Sequence, residues 1–147
     1  MANELLPQST FIALLDELIP ARDESLPGAG SLGLGEGIEP KLGESTPLVA
    51  AGLSALDAKA ADLGATPFAE MPSEARAAVV AEVGAALPGF IETLVFHTYS
   101  AYYQHPRVIS AIGLKPEPPF PGGYELEQGD LGLLDPVRGR GRLYRDA

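Results

Sequence analysis

His97 and His105 are the two imidazoles of the sequence, and imidazole is the side chain that most readily exchanges a proton near neutrality. Eight positions apart, they do not share a helical face as the histidines of an H-E-x-x-H zinc site do, and a metal would need a third ligand from distant carboxylates. Neither has a serine, cysteine or acid at the spacing of a catalytic triad. Asp16, Glu17, Asp23 and Glu24 offer a paired-carboxylate or cation site in principle. The simpler reading puts Asp16 and Glu17 on the wet face of a helix and has Asp23, Glu24 and Ser25 bonding turn amides. Gly28-Ala29-Gly30-Ser31-Leu32-Gly33 matches G-x-G-x-x-G, but a dinucleotide site needs a buried strand to deliver the glycines, and here a polar turn, ARDESLP, precedes them. The glycines read instead as a turn lying close to neighbouring backbone. Tyr99, Tyr102 and Tyr103 are spaced as core or interface aromatics on a helix. No active site assembles from these residues.

The elements that must position them are helical. Phe11, Leu14, Leu15, Leu18 and Ile19 form one helical face over residues 10–19, with Ser9 or Thr10 as N-cap and Pro20 as the stop. A weak helix over 32–42 is opposed by Gly33, Gly35, Gly37 and Pro40. Ser45-Thr46-Pro47 starts a third helix, with Leu53, Leu56, Ala60 and Leu63 buried and Gly64 as its left-handed cap. Thr66-Pro67-Phe68 is a turn, with Phe68 and Met71 tucked under a fourth helix that begins near Ser73. In that helix Val80, Val83 and Leu87 share a face, Pro88-Gly89 ends it, and Ala75, Ala77, Ala78, Ala81, Ala85 and Ala86 would let another helix pack close.

Residues 89–104 are the most apolar helix and carry two stripes, Ile91, Leu94, Val95, Thr98 and Tyr102 on one side and Phe96, Tyr99 and Tyr103 on the other. Two apolar faces need two neighbours. His105-Pro106 starts a short sixth helix through Ile112, closed by Gly113. From Leu114 the chain loses periodicity. Its prolines and glycines favour extended and turn backbone, yet Phe120, Tyr124, Leu131, Leu133, Leu134 and Tyr144 are too apolar for a solvated linker. The expected architecture is all-α, a compact bundle of five or six short helices over 1–113. A Pro/Gly-rich arm, 114–147, belongs to the same unit and wraps over the body or a partner.

The totals agree. A chain of 147 residues suits one core, and 17 glycines and 14 prolines announce long irregular segments. A net charge of -10 disfavours nucleic acid and anionic membrane. Four arginines against one aspartate give residues 138–147 a charge of +3, so the rest carries -13. That tail is either a solvated end or an arm for an acidic partner or the acidic body. Without cysteine there is no disulfide, thiolate metal site, attached haem or cysteine-held cluster. The first residues show no basic region or twin arginine, and no apolar run reaches transmembrane length, so the expectation is a cytoplasmic chain without membrane insertion, or a periplasmic one exported with a signal-bearing partner.

Three segments together, LLDELIPARDESLPGAGSLGLGEGIE, PFAEMPSEARAAVVAEV and the run from Phe90 through HTYSAYYQHPRVISAIGLKPEPPFPGGY, resemble the gluconate 2-dehydrogenase subunit 3 family over most of residues 11–124. The resemblance implies a small, cofactor-free and non-catalytic subunit that stabilises and matures a larger FAD-binding subunit of the glucose–methanol–choline type. That partner would oxidise a sugar, sugar acid or glucoside, and a cytochrome c often takes its electrons. Many members carry a twin-arginine signal that this sequence lacks, which leaves stabilisation rather than escort as the expected role. Relatives of the partner include enzymes that oxidise the third hydroxyl of glucosides. Phe96, Tyr99, Tyr103, Pro119, Phe120 and Tyr124 are the expected partner-binding residues, with no catalytic, cofactor or metal residues in this chain. The residues leave two other readings open, a small helical enzyme using His97 or His105 and a free chaperone for the flavoprotein.

Overall fold

The structure is a computed structural model and describes residues 8–22, 25–64, 67–117, 123 and 129–140. The secondary structure of the described residues is seven α-helices and several 3₁₀ turns, with no strand among them. The chain divides into two units, one ending at Pro116 and one beginning at Glu117.

In the first unit α1 (Gln8–Leu18) buries Phe11, Leu14 and Leu15, with Leu18 and Ile19 packed at the margin, as the 3.6-residue period requires. Its N-terminus corrects one expectation. Thr10 is not the cap but a buried residue, whose hydroxyl donates to Asp57 Oδ1 at 2.7 Å on a neighbouring helix. After Pro20 the chain reverses, with Arg22 N–H bonded to the Leu26 carbonyl and Ala29 N–H to that of Ile19. The expected helix over 32–42 is instead a string of short turns. A 3₁₀ turn at Ala29–Leu32, α2 (Gly35–Ile38) and 3₁₀ turns at Glu39–Lys41 and Gly43–Ser45 follow one another, because the glycines and Pro40 allow single turns but no longer run. Leu34, Ile38 and Leu42 anchor this string in the core.

The long helix α3 (Thr46–Asp62) buries Val49, Leu53, Leu56 and Ala60. Leu63, expected on that face, is exposed, since the helix has already ended and Gly64 adopts a left-handed conformation at φ 66°. Phe68 and Met71 are buried in and after the 3₁₀ turn Phe68–Glu70. In α4 (Ser73–Ala86) Val79 and Val83 are buried and Val80 and Leu87 only partly. Ala77, Ala78, Ala81, Ala85 and Ala86 face solvent, so the close helix neighbour expected along them is not present within the described residues. Then α4 turns through 119° into α5 (Phe90–Tyr102), with Gly89 at φ 87° making the corner and Glu92 accepting the Gly89 N–H. His105 caps α6 (Pro106–Ala111), its Nδ1 accepting the Arg107 N–H, and Gly113 closes it. No single described helix is long and apolar enough to cross a membrane.

The helices are held in register by a few specific contacts. Gly52 has no side chain because the Phe90 ring lies against its α-carbon, where any Cβ would collide with three ring carbons. Glu17 and Arg76 tie α1 to α4 at 2.7 Å, and Arg76 also donates to the Ala69 carbonyl. Lys59 on α3 meets Glu82 on α4 at 2.6 Å. That hydrogen bond and charge hold the Lys59 ammonium above its ordinary pKa of 10.5, and burial pushes the Tyr102 phenol above its ordinary 10.0. Both groups favour the folded state while protonated. Their contribution is complete below about pH 10 and is lost as the pH climbs through their raised folded values, because the unfolded chain releases those protons first. Thermal melts should therefore hold level from neutrality to pH 9 and fall beyond pH 10, and Tyr102→Phe should flatten part of that fall.

Thr98 is fully buried on α5, and its hydroxyl has no hydrogen-bond partner among the described residues. Valine has nearly the same shape without the hydroxyl. Thr98→Val should raise the unfolding free energy by about 1 kcal/mol, read as a higher urea midpoint at unchanged slope.

The second unit contains a 3₁₀ turn at Leu131–Leu134 running into α7 (Asp135–Arg138). Asp130 caps it by accepting the Gly132 N–H at 2.8 Å, and Pro136 sits in the first turn of α7. Purely extended and turn backbone was the expectation here. Glycine and proline fall at a cap and a first helical turn, the two places where they permit helix.

Candidate partner-binding surface

The helix α5 is divided lengthwise. Phe90, Leu94, Thr98 and Tyr102 recur every four residues and are buried, and Ile91 is half-buried. Val95, expected with them, is turned about 100° from Leu94 by the helical period and lies at the edge of the solvent. On the other side Phe96, Tyr99 and Tyr103 are 68%, 44% and 52% exposed. The two tyrosines are packed against one another, while Phe96 meets His97. Tyr99 and Tyr103 lie 6.0 Å apart, and Tyr103 stands edge-on to the buried Tyr102 at 5.3 Å. The Tyr102 hydroxyl in turn donates to the Pro27 carbonyl at 2.9 Å, so Tyr103, and Tyr99 through it, rest on a buried support. Aromatic side chains held in this way lose little freedom on binding, and so suit an interface.

The other expected contact residues, Pro119, Phe120 and Tyr124, lie outside the described residues, as do Asp23 and Glu24. Asp16 and Glu17 do not form a wet face. Asp16 is half-buried and accepts the Gly30 N–H at 2.8 Å, and Glu17 accepts both Arg76 Nε and the Ser73 hydroxyl. Each carboxylate is committed to holding the fold.

The glycine-rich turn is filled in the same way. A Cβ on Gly28 would strike the Asp16 carboxylate, and one on Gly30 would meet both that carboxylate and the Ile12 carbonyl. The amide a phosphate would need already faces an acid, and α1 occupies the space of a cradle. This chain's G-x-G-x-x-G therefore does not suit a dinucleotide, FAD included.

His97 stands edge-on to Phe96 at 5.2 Å, beside the aromatic row, while His105 is engaged as the cap of α6. Among the described residues no three of histidine, cysteine, aspartate and glutamate gather as a metal site. A shallow, open depression lined by Ser25, Pro106, Arg107, Ser110 and Ala111 supplies neither a general base nor a nucleophile–base pair. Among the described residues the most prominent surface feature is the exposed aromatic row of α5. Sequence reasoning missed the Tyr102 to Pro27 bond that supports the surface, and no local pattern signals a contact across 75 positions.

No curated protein and no solved structure matches the chain. The family model for gluconate 2-dehydrogenase subunit 3 matches residues 8–122, which takes in the whole helical body and the aromatic face of α5. The chain belongs to the gluconate 2-dehydrogenase subunit 3 family and is thus an accessory subunit of a dehydrogenase complex that includes a catalytic subunit.

Proposed function

We propose that this chain is a non-catalytic subunit that docks through the outer face of α5 onto an FAD-dependent catalytic subunit of the glucose–methanol–choline type, stabilising it and aiding its maturation. The observation that carries the reading is the row Phe96, Tyr99 and Tyr103, left exposed on a helix whose opposite side is fully buried. Isolated soluble domains scatter their surface apolar residues, whereas a contiguous row of exposed aromatics is characteristic of interface anchors. A subunit that binds only the folded flavoprotein stabilises it by mass action, worth about 2.7 kcal/mol when its concentration is one hundred times the dissociation constant. It needs no contact with substrate to do so. The substrate would be a sugar, sugar acid or glucoside, with a cytochrome c as electron acceptor.

The test is flavin retention. The catalytic subunit is produced with and without this chain, diluted, and followed by flavin absorbance and by turnover. The paired enzyme should keep its FAD and activity through heating that strips the lone one, while this chain alone should turn nothing over. Equal retention in both samples, or turnover by the lone chain, contradicts the reading.

A further inference from the structure

Leu131, Leu133, Leu134 and Val137 lie within one eight-residue helical stretch, 66%, 76%, 45% and 57% exposed. Helical spacing sorts them into two adjacent rows, Leu131 with Leu134 and Leu133 with Val137, with Arg138 in the last turn and Arg140 just beyond the helix end. At i, i+2, i+3 and i+6 the four give this short stretch one broad exposed apolar face, of the kind an amphipathic helix lays into an apolar groove. The conformation is set locally. The Asp130 cap, Pro136 in the first helical turn and the Asp135–Arg138 ion pair at 3.3 Å all lie within the stretch itself or next to it. The stretch falls in the second unit and beyond residue 122, where the family match ends, so it is not part of the shared helical body.

We infer that residues 131–140 are a second, separately tethered anchor for the catalytic subunit, seated in an apolar groove with an acidic rim. The inference rests on the proposed docking of α5 and adds a second point of attachment. The acidic rim follows from charge. Residues 138–147 carry +3 in a chain of net -10, so an acidic surface attracts this end and repels the rest, which fixes its orientation on the partner. The groove must lie within reach of the first unit, because the chain from Glu117 to Asp130 spans at most about 45 Å when fully extended. Within that distance the second contact is intramolecular, and its effect multiplies that of the first.

The experiment uses the full chain bound to the purified catalytic subunit, comparing wild type with Leu131→Ser/Leu134→Ser and with Arg138→Glu/Arg140→Glu. Both variants should weaken the complex by roughly 100-fold, the second mainly at low salt, with the free chain's melting temperature unchanged. Affinities within twofold of wild type, while wild type still binds, overturn the inference and leave the α5 reading standing. Loss with the serine variant alone overturns the acidic rim. A shift in the isolated chain's oligomeric state in place of weaker binding assigns the anchor to a second copy, and also overturns it. A wild-type chain that does not bind the flavoprotein removes both readings.

Discussion

Phe90→Ala should lower the unfolding free energy of the chain by about 4 kcal/mol, a large share of what a domain of this size possesses. The ring is fully buried, and it fills the notch made by Gly52 on α3 at the point where α5 leaves its corner. Truncation removes the packing between those two helices and leaves a cavity that cannot collapse, because Gly52 has no side chain to move into it. The paired substitution sharpens the expectation. Gly52→Ala alone should cost about 2 kcal/mol through collision with the ring, but little once Phe90 has been shortened to leucine. Urea unfolding of the four chains, followed by helical circular dichroism, measures the coupling. Additive losses would mean that the ring and the notch do not meet.

Alanine at Phe96, Tyr99 and Tyr103 should have the opposite profile. Each substitution removes a ring already exposed in the free chain, so stability should move by no more than about 0.5 kcal/mol. Affinity for the catalytic subunit should fall by about 2 kcal/mol for each anchor, close to 30-fold per ring. Tyr103 should be the most sensitive, because it is backed by Tyr102 and through it by Pro27. Titration calorimetry of the wild type and the three single variants against the flavoprotein reads this directly. Undiminished affinity in all three would remove the α5 face from the interface.

The parts of this architecture that were legible in the sequence are those set by local periodicity and punctuation. Phe11, Leu14 and Leu15 name the inner face of α1, Pro47 and Gly64 bracket α3, and the spacing of Phe96, Tyr99 and Tyr103 separates the outer row of α5 from Leu94, Thr98 and Tyr102. What was not legible depends on partners far along the chain. Asp16 and Glu17 read as solvated until Gly30 and Arg76, 14 and 59 positions away, are brought to them. Alanine misleads for a different reason. It favours helix equally well inside or outside a core, so the row on α4 carried no information about burial. The turn at Leu131–Leu134 was hidden by glycine and proline, which mark a helix boundary as often as a loop.

The central claim is that the exposed aromatic face of α5 becomes an interface. Hydroxyl-radical footprinting of the chain, free and bound to the catalytic subunit, tests it at the side chains themselves. Phe96, Tyr99 and Tyr103 should be oxidised readily in the free chain and fall to the level of buried Phe90 and Tyr102 in the complex. Rings as reactive in the complex as in the free chain would contradict the account.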